Sequence, residues 1–299
     1  MIKNYINLFR QSGRPYGLFL AGSCFFLIST DSLLTRISDT DGWTIAFFVG
    51  VWSIPVMLII VWQNLGDNIA SEISAHKFPL FISSTLAAIG TTSFIQAVTR
   101  TEVANVVAII AGAPIFSALI ARLFIKEETS KRTWLAIIAA FTGILIIVWG
   151  SLGSGGLDGN LIALLSILTF STNIVIWRHH QEIPRSLIVL ISAFIIAVTT
   201  FVPALPLELD RRSLICTILM GLIFGPVARL CMVSATRYAS ASEVSMFAPV
   251  ETICATIWVW IWFDEVPSTS TFIGGFLVLA AVFYGITQPR SGKKLKSKF

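Results

Sequence analysis

The feature that most limits what this chain can become is a train of long, nearly uninterrupted apolar runs, each about twenty residues long, separated by short polar turns. None of the runs alternates polar and apolar residues as a barrel strand would. Inside hydrocarbon every backbone N–H and C=O needs an internal partner, so each run is expected to be a helix. At 55% hydrophobic and 12% charged over 299 residues, the chain carries more apolar surface than one soluble core can hide, and a bilayer has to serve as solvent. The first run, Tyr16 to Ile37, follows Lys3, Arg10 and Arg14 much as a secretory signal would. Nine comparable runs come after it, so it reads as the first span.

The runs place spans near 16–37, 43–62, 78–99, 102–125 and 132–150, then near 159–178, 184–204, 213–236, 243–263 and 268–287. The expected fold is all-α: a polytopic membrane protein of ten transmembrane helices. The segment Ser151 to Asp158, rich in small residues, divides it into a first five-helix unit, 1–150, and a second, 151–299, with a basic tail. The loops are too short for a soluble domain. With the amino terminus inside, fifteen of the 21 Lys and Arg fall on the inner side, and four, Arg36, Arg100, Arg211 and Arg212, on the outer side. Both termini are therefore expected to be cytoplasmic, with the protein in the cell (inner) membrane.

The formal charge of +5 comes largely from Arg290, Lys293, Lys294, Lys296 and Lys298, a tail suited to anionic lipid and not to nucleic acid. Cys24, Cys216, Cys231 and Cys254 lie inside apolar runs without CxxC spacing, as packed reduced thiols do. His76, His179 and His180 fall at loops or helix ends, so no metal site is legible, and no cofactor is expected.

The two units repeat each other. With Gly17 opposite Gly159, Ser29-Thr30-Asp31 aligns with Ser171-Thr172-Asn173, and Arg36 with Arg178, without gaps. A second register pairs Ala97 with Ala235, Val106 with Val244, and Glu127 with Glu265. Matches between polar residues weigh most, because apolar helices coincide easily. Five spans per unit is an odd number, so the second unit enters from the opposite side, as the reversed loop charges also indicate. This makes the fold two inverted five-helix repeats, an architecture of many secondary transporters that expose one central site to either side in turn.

The segment Ala113-Pro-Ile-Phe-Ser-Ala-Leu-Ile-Ala-Arg-Leu-Phe-Ile-Lys-Glu127 resembles the proline-to-glutamate signature of the drug/metabolite transporter (DMT) superfamily, in its EamA-type group. Glu251 to Glu265 resembles the second copy, with Thr252 where a proline is usual. Similarity extends to Ala97–Ala108, Ala235–Met246 and Ile273–Leu277. An arginine often seen early in the second helix of each half is missing, with Gly50 near that place. The resemblance implies a ten-helix exporter or exchanger of small organic metabolites, often amino acids or their relatives. It also implies a homodimer contact on the fifth and tenth helices, where Ala136 to Gly143 and Gly274-Gly275 supply small residues.

An ionisable group within a span costs at least about 2.5 kcal/mol at mid-bilayer, so it usually faces a cavity or a partner. Glu251 and Arg229 lie at similar depth, about 12 and 10 Å from the inner helix ends at 1.5 Å per residue. They either pair structurally or line a substrate or proton pathway that holds a zwitterionic or anionic solute. Their counterparts in the first half are Ala113 and Thr91. Asp31, toward the outer face, and its partner Asn173, toward the inner face, read as mirror-image gates or as solvated helix ends. Gln96 and Asn105 are candidates for substrate hydrogen bonds or inter-helix bonds, and Trp52 for stacking on substrate or for packing. Arg36 and Arg178 read as snorkellers, and Glu127 and Glu265 as caps of the helices that follow them.

The leading expectation is a secondary transporter of a small organic metabolite, with no enzymatic activity of its own. No nucleotide-binding GxxxxGK[ST] run occurs. A membrane-embedded enzyme, or an accessory or sensor subunit, stands as the alternative, although the spans hold no histidine for catalysis.

Overall fold

Aspartates mark where two of the apolar runs begin to coil. Asp41 accepts hydrogen bonds from the amides of Trp43 and Thr44 and so caps α2, Gly42–Leu65. Asp210 does the same for α10, Arg211–Ile218, through the amides of Arg212 and Ser213. The structure, a computed structural model, describes residues 13–124, 131–150, 156–180, 182–205, 207–238 and 247–286. In chain order the remaining helices are α1 Arg14–Ser38, α3 Ile69–Ala75, α4 Lys77–Arg100, α5 Val103–Ile110, α6 Ala113–Phe124, α7 Lys131–Gly150, α8 Leu157–His179 and α9 Arg185–Phe201. Beyond α10 come α11 Gly225–Tyr238, α12 Ala248–Phe263 and α13 Thr269–Ile286. The described residues contain no strand.

Five described stretches are long and apolar enough to cross a membrane: Pro15–Ser38, Gly42–Ala75, Lys77–Arg100, Leu157–Trp177 and Arg211–Met232. A sixth, within Val103–Phe124, is bent by 42°. Trp134–Gly150, Arg185–Phe201, Val250–Phe263 and Thr269–Tyr284 are apolar but shorter. Large apolar side chains such as Phe19, Phe78, Trp149 and Phe276 stand exposed on the outside of the bundle, as lipid-facing residues do.

Two of the runs expected to be continuous are interrupted. The fourth breaks at Ala111-Gly112, because Pro114 has no N–H to donate to the Ile110 carbonyl. Neighbouring helices supply donors there: Thr252 Oγ1 bonds the Val107 carbonyl at 3.1 Å, and Ser171 Oγ that of Ala113 at 3.2 Å. The eighth run widens into a π stretch, Leu219–Phe224, ahead of Pro226, and the Gly225 amide reaches back five residues to the Met220 carbonyl. A Cβ at position 225 would lie 2.6 Å from that carbonyl oxygen, so the stretch requires glycine. The ninth run is helical from Ala248; its expected first residues, 243–246, lie outside the described residues.

Close backbone contacts fix the layers. α7 packs on α13, where a Cβ on Gly143 or Gly274 would come within 2.6 Å of the facing backbone. These small residues therefore serve packing within the chain. α4 packs on α8, α2 on α9, and α1 lies against both α11 and α12.

Candidate functional site

The centre of interest is the neighbourhood of α1, because it holds the half-buried Asp31 and Arg229 and lies beside the buried Glu251. Asp31 sits two turns before the end of α1, and Arg229 lies in the second turn of α11. Both line a cavity of about 20 Å³, with Thr91 of α4 as a further polar wall and Val49, Phe94 and Met220 as apolar ones. That volume holds about one water molecule.

Arg229 Nη2 donates to Thr91 Oγ1 at 3.2 Å. Its facing carboxylate is Asp31, which lies within electrostatic range. The Glu251–Arg229 ion pair weighed from their matching depths is not formed among the described residues. Depth along a helix leaves open which way the side chain turns. Glu251 instead neighbours Asp31 electrostatically. It occupies the first turn of α12, where the helix amides favour a carboxylate, and is only 6% exposed. Asp31 Oδ1 is enclosed and receives no hydrogen bond. Cys24, fully buried one face along α1, lies among Asp31, Glu251 and Cys231.

Trp52 stands beside this site. Its stem lies against the π stretch after α10 at Gly221, its ring stacks on Phe48 with centroids 6.4 Å apart, and its indole N–H is enclosed without a partner. The other expected site residues lie elsewhere. Gln96 packs under the start of α2 at Gly42. Asn105 accepts a short hydrogen bond from Thr271 of α13 and joins two helices.

Asn173 is engaged away from the cavity. Ser83 Oγ donates to Asn173 Oδ1 at 2.5 Å, Asn173 Nδ2 donates to the Ser83 carbonyl at 3.1 Å, and Trp177 Nε1 donates to Ser83 Oγ at 2.8 Å. Arg185 adds a bond to the Trp177 carbonyl at 2.7 Å. At the opposite end, Arg36 is no snorkeller. It bonds the Thr101 carbonyl at 2.8 Å and pairs with Glu265 at 3.2 Å. Glu265 in turn accepts the Val103 amide at 2.9 Å, so it caps α5 of the other half and not the helix that follows it. Glu127 and the side chain of Arg178 lie outside the described residues. Sequence reasoning missed Thr91 as Arg229's partner and Ser83 as Asn173's. Both are small hydroxyl residues of a kind scattered through every span.

A wider hollow of about 760 Å³ opens to solvent between the turn after α1 and the segment before α10. Asp39, Glu208, Asp210 and Arg212 line it. It is larger than the inner cavity but holds none of the buried charges.

The family described as "EamA-like transporter family" matches residues 15–149 and again 157–286. "Uncharacterized transporter YdfC" of Bacillus subtilis is 27% identical over 181 residues, 58% of each chain. A "Riboflavin transporter" of Brucella anthropi is 24% identical over 258 residues, 80% of this chain and 87% of that one. Another "Riboflavin transporter", from Rhizobium johnstonii, is 24% identical over 67% of each. A solved chain described as "Crystal structure of protein" superposes with a TM-score of 0.65 over 91% of this chain and 97% of that one, at 13% identity, and so shares the fold.

Proposed function

The chain belongs to the EamA-like transporter family and is a multi-pass membrane transporter, and from that premise we propose that it is a secondary transporter of a small organic metabolite, working by alternating access. Its cargo on this reading is an amino acid or a related compound. The ten helical runs form two inverted units, 1–150 and 151–299, with both termini cytoplasmic in the cell inner membrane. A homodimer is part of this proposal.

The observation that carries the reading is a charged cavity between helices of both halves, which are also tied to each other by two separate sets of bonds. At one end Arg36 and Val103 hold Glu265; at the other Ser83 holds Asn173. Opening to one side then means breaking one set while the other stays. Arg229 also bonds Thr91, its own counterpart in the repeat register, as residues near a pseudo-twofold axis must. A cavity of about 20 Å³ must widen to the several hundred Å³ that a metabolite needs before it can hold one.

Two relatives named riboflavin transporters favour a second reading, a flavin cargo, for which Trp52 and Phe94 offer aromatic faces. Counterflow of a labelled metabolite panel, riboflavin included, in sealed vesicles carrying the folded protein tests both. Movement of amino-acid-like solutes supports the first reading and movement of riboflavin the second. No protein-dependent movement of any solute overturns transport.

A further inference from the structure

We propose that Asp31 and Arg229 act as a split pair that grips a cargo of zero net charge by a polar edge, whose N–H donates to Asp31 Oδ1 and whose oxygen accepts from the Arg229 guanidinium. This rests on the transporter reading and adds the charge class of what is carried and the edge by which it is held.

The first support is the balance of charge on the cavity wall. Among the described residues that line it, Asp31 is the one carboxylate and Arg229 the one cation, so the wall as a whole is neutral. Glu251 is not among the lining residues and sits in the first turn of α12. A cargo with a single net charge would leave one charge over in a low-dielectric interior, which is costly. A zwitterion, or a neutral molecule with a polar edge, leaves none.

The second support is which groups on that wall are still open. Ser53 Oγ is spent on the Gly221 carbonyl at 3.0 Å, and Thr91 Oγ1 accepts from Arg229 Nη2 at 3.2 Å. Asp31 Oδ1 is enclosed and receives no hydrogen bond, from Arg229 or from any other group. A guanidinium has five N–H donors, and the bond to Thr91 uses one of them, so a cargo oxygen need not displace Thr91. The wall therefore asks for one donor and one acceptor side by side. Asp31 belongs to the first matched unit, 15–149, and Arg229 to the second, 157–286, so a cargo that satisfies both ties the two halves together. Its body then lies against Val49, Phe94, Ile95 and Met220, which are apolar. Two sources share this chemistry: an amino-acid zwitterion with an apolar side chain, and the imide edge of a flavin ring.

The test is uptake into proteoliposomes holding the full chain, with five labelled probes: leucine, its cationic amide, its anionic N-acetyl derivative, riboflavin, and riboflavin methylated at the imide nitrogen. Leucine or riboflavin is expected to move roughly tenfold faster, or more, than the cation and the anion. If riboflavin is the one that moves, the methyl group removes the N–H and is expected to slow it by a similar factor. Asp31→Asn leaves the wall positive and Arg229→Gln leaves it negative. Uptake of the neutral cargo is expected to fall in both. The anion is expected to gain on the neutral cargo by roughly tenfold in the first variant, and the cation in the second, a change of preference that a merely structural role would not produce. Thermal melts show which variants are folded, and the ranking of probes by the wild type decides where one is not. If the cation or the anion moves as fast as the best neutral probe, if transported riboflavin tolerates the methyl group, or if both folded variants keep the wild-type preference, the split-pair proposal fails and the transporter reading stands. If no probe moves with folded protein, both fail.

Discussion

Asp31 and Asn173 hold the same place in the two halves of the chain, yet their surroundings have been used in opposite ways. Asn173 is closed off by a neutral network in which Ser83 satisfies its amide and Trp177 satisfies Ser83. In the repeat register Ser83 corresponds to Gly221 and Trp177 to Thr35. On Asp31's side the serine hydroxyl is therefore missing, and Thr35 turns to Met220 Sδ at 4.0 Å. The carboxylate is left with an enclosed oxygen beside a cavity, facing an arginine tied to Thr91. One site is completed by its neighbours, whereas the other keeps an oxygen that no neighbour satisfies. Duplication supplied two matching positions, and the absence of the donors on one side is what separates a closed joint from the place we propose for the cargo.

The sharpest way to break this contrast is to exchange the two side chains. Asn173→Asp puts a carboxylate where every neighbour is already committed and removes the donor to the Ser83 carbonyl. It is expected to lower stability by about 2.5 kcal/mol or more, seen as a reduced Tm and reduced yield of folded protein in detergent. Asp31→Asn is expected to leave Tm within a few degrees of wild type while transport collapses. Equal stability losses for the two variants would remove the distinction between joint and binding place.

A smaller effect is expected from giving Asp31 the partner that Asn173 enjoys. Gly221→Ser restores a hydroxyl, but its Cβ would lie 2.7 Å from Trp52 Cβ and 2.8 Å from the Val49 carbonyl, forcing α2 away from the π stretch. Overpacking of this kind costs about 1–3 kcal/mol. Transport is expected to fall along with Tm, because Val49 lines the cavity. A variant with unchanged Tm and faster transport would show that the missing hydroxyl has no part in keeping Asp31 open. Ser83→Ala, the reverse change, strips Asn173 and Trp177 of one bond each, about 1 kcal/mol in a membrane interior where such bonds average about 0.6. Its signature is a lower Tm with the substrate KM retained.

The all-helical, membrane-spanning character of the fold was legible in the sequence, because apolar runs and turn residues act over short stretches. The charged residues that matter, Asp31, Arg229 and Glu251, were legible as well, since burying a charge is costly enough to stand out. Their pairing was not. Glu251 and Arg229 match in depth, but the charge within range of each is Asp31. Arg36 looked interfacial because Glu265 lies 229 residues away in sequence. Gln96 and Asn105, polar in an apolar setting, went to helix packing, and no periodicity distinguishes that use from binding. The π stretch left only Gly225-Pro226 as a sign, and the same pair also fits a simple kink.

The smallest effect is expected at the solvent edge of the Asn173 region, where it serves as a control on charge. Glu182 lies in the turn between α8 and α9, exposed, with its carboxylate 3.2 Å from His180 Nδ1. Its own backbone amide first, and the His180 side chain second, hold its carboxyl below the ordinary value of 4.5. A carboxyl with a depressed folded pKa adds stability above its unfolded value, and that contribution disappears as pH falls through the folded one. Glu182→Gln is therefore expected to lower Tm by about a degree or less at pH 7, since exposed pairs contribute little. The gap should close as the pH falls below about 4. Melting curves of the two proteins from pH 7 to pH 3 measure this directly. A large gap at neutral pH would mean that the turn between α8 and α9 holds the Asn173 joint shut by charge, and the view of that region as a neutral joint would have to be given up.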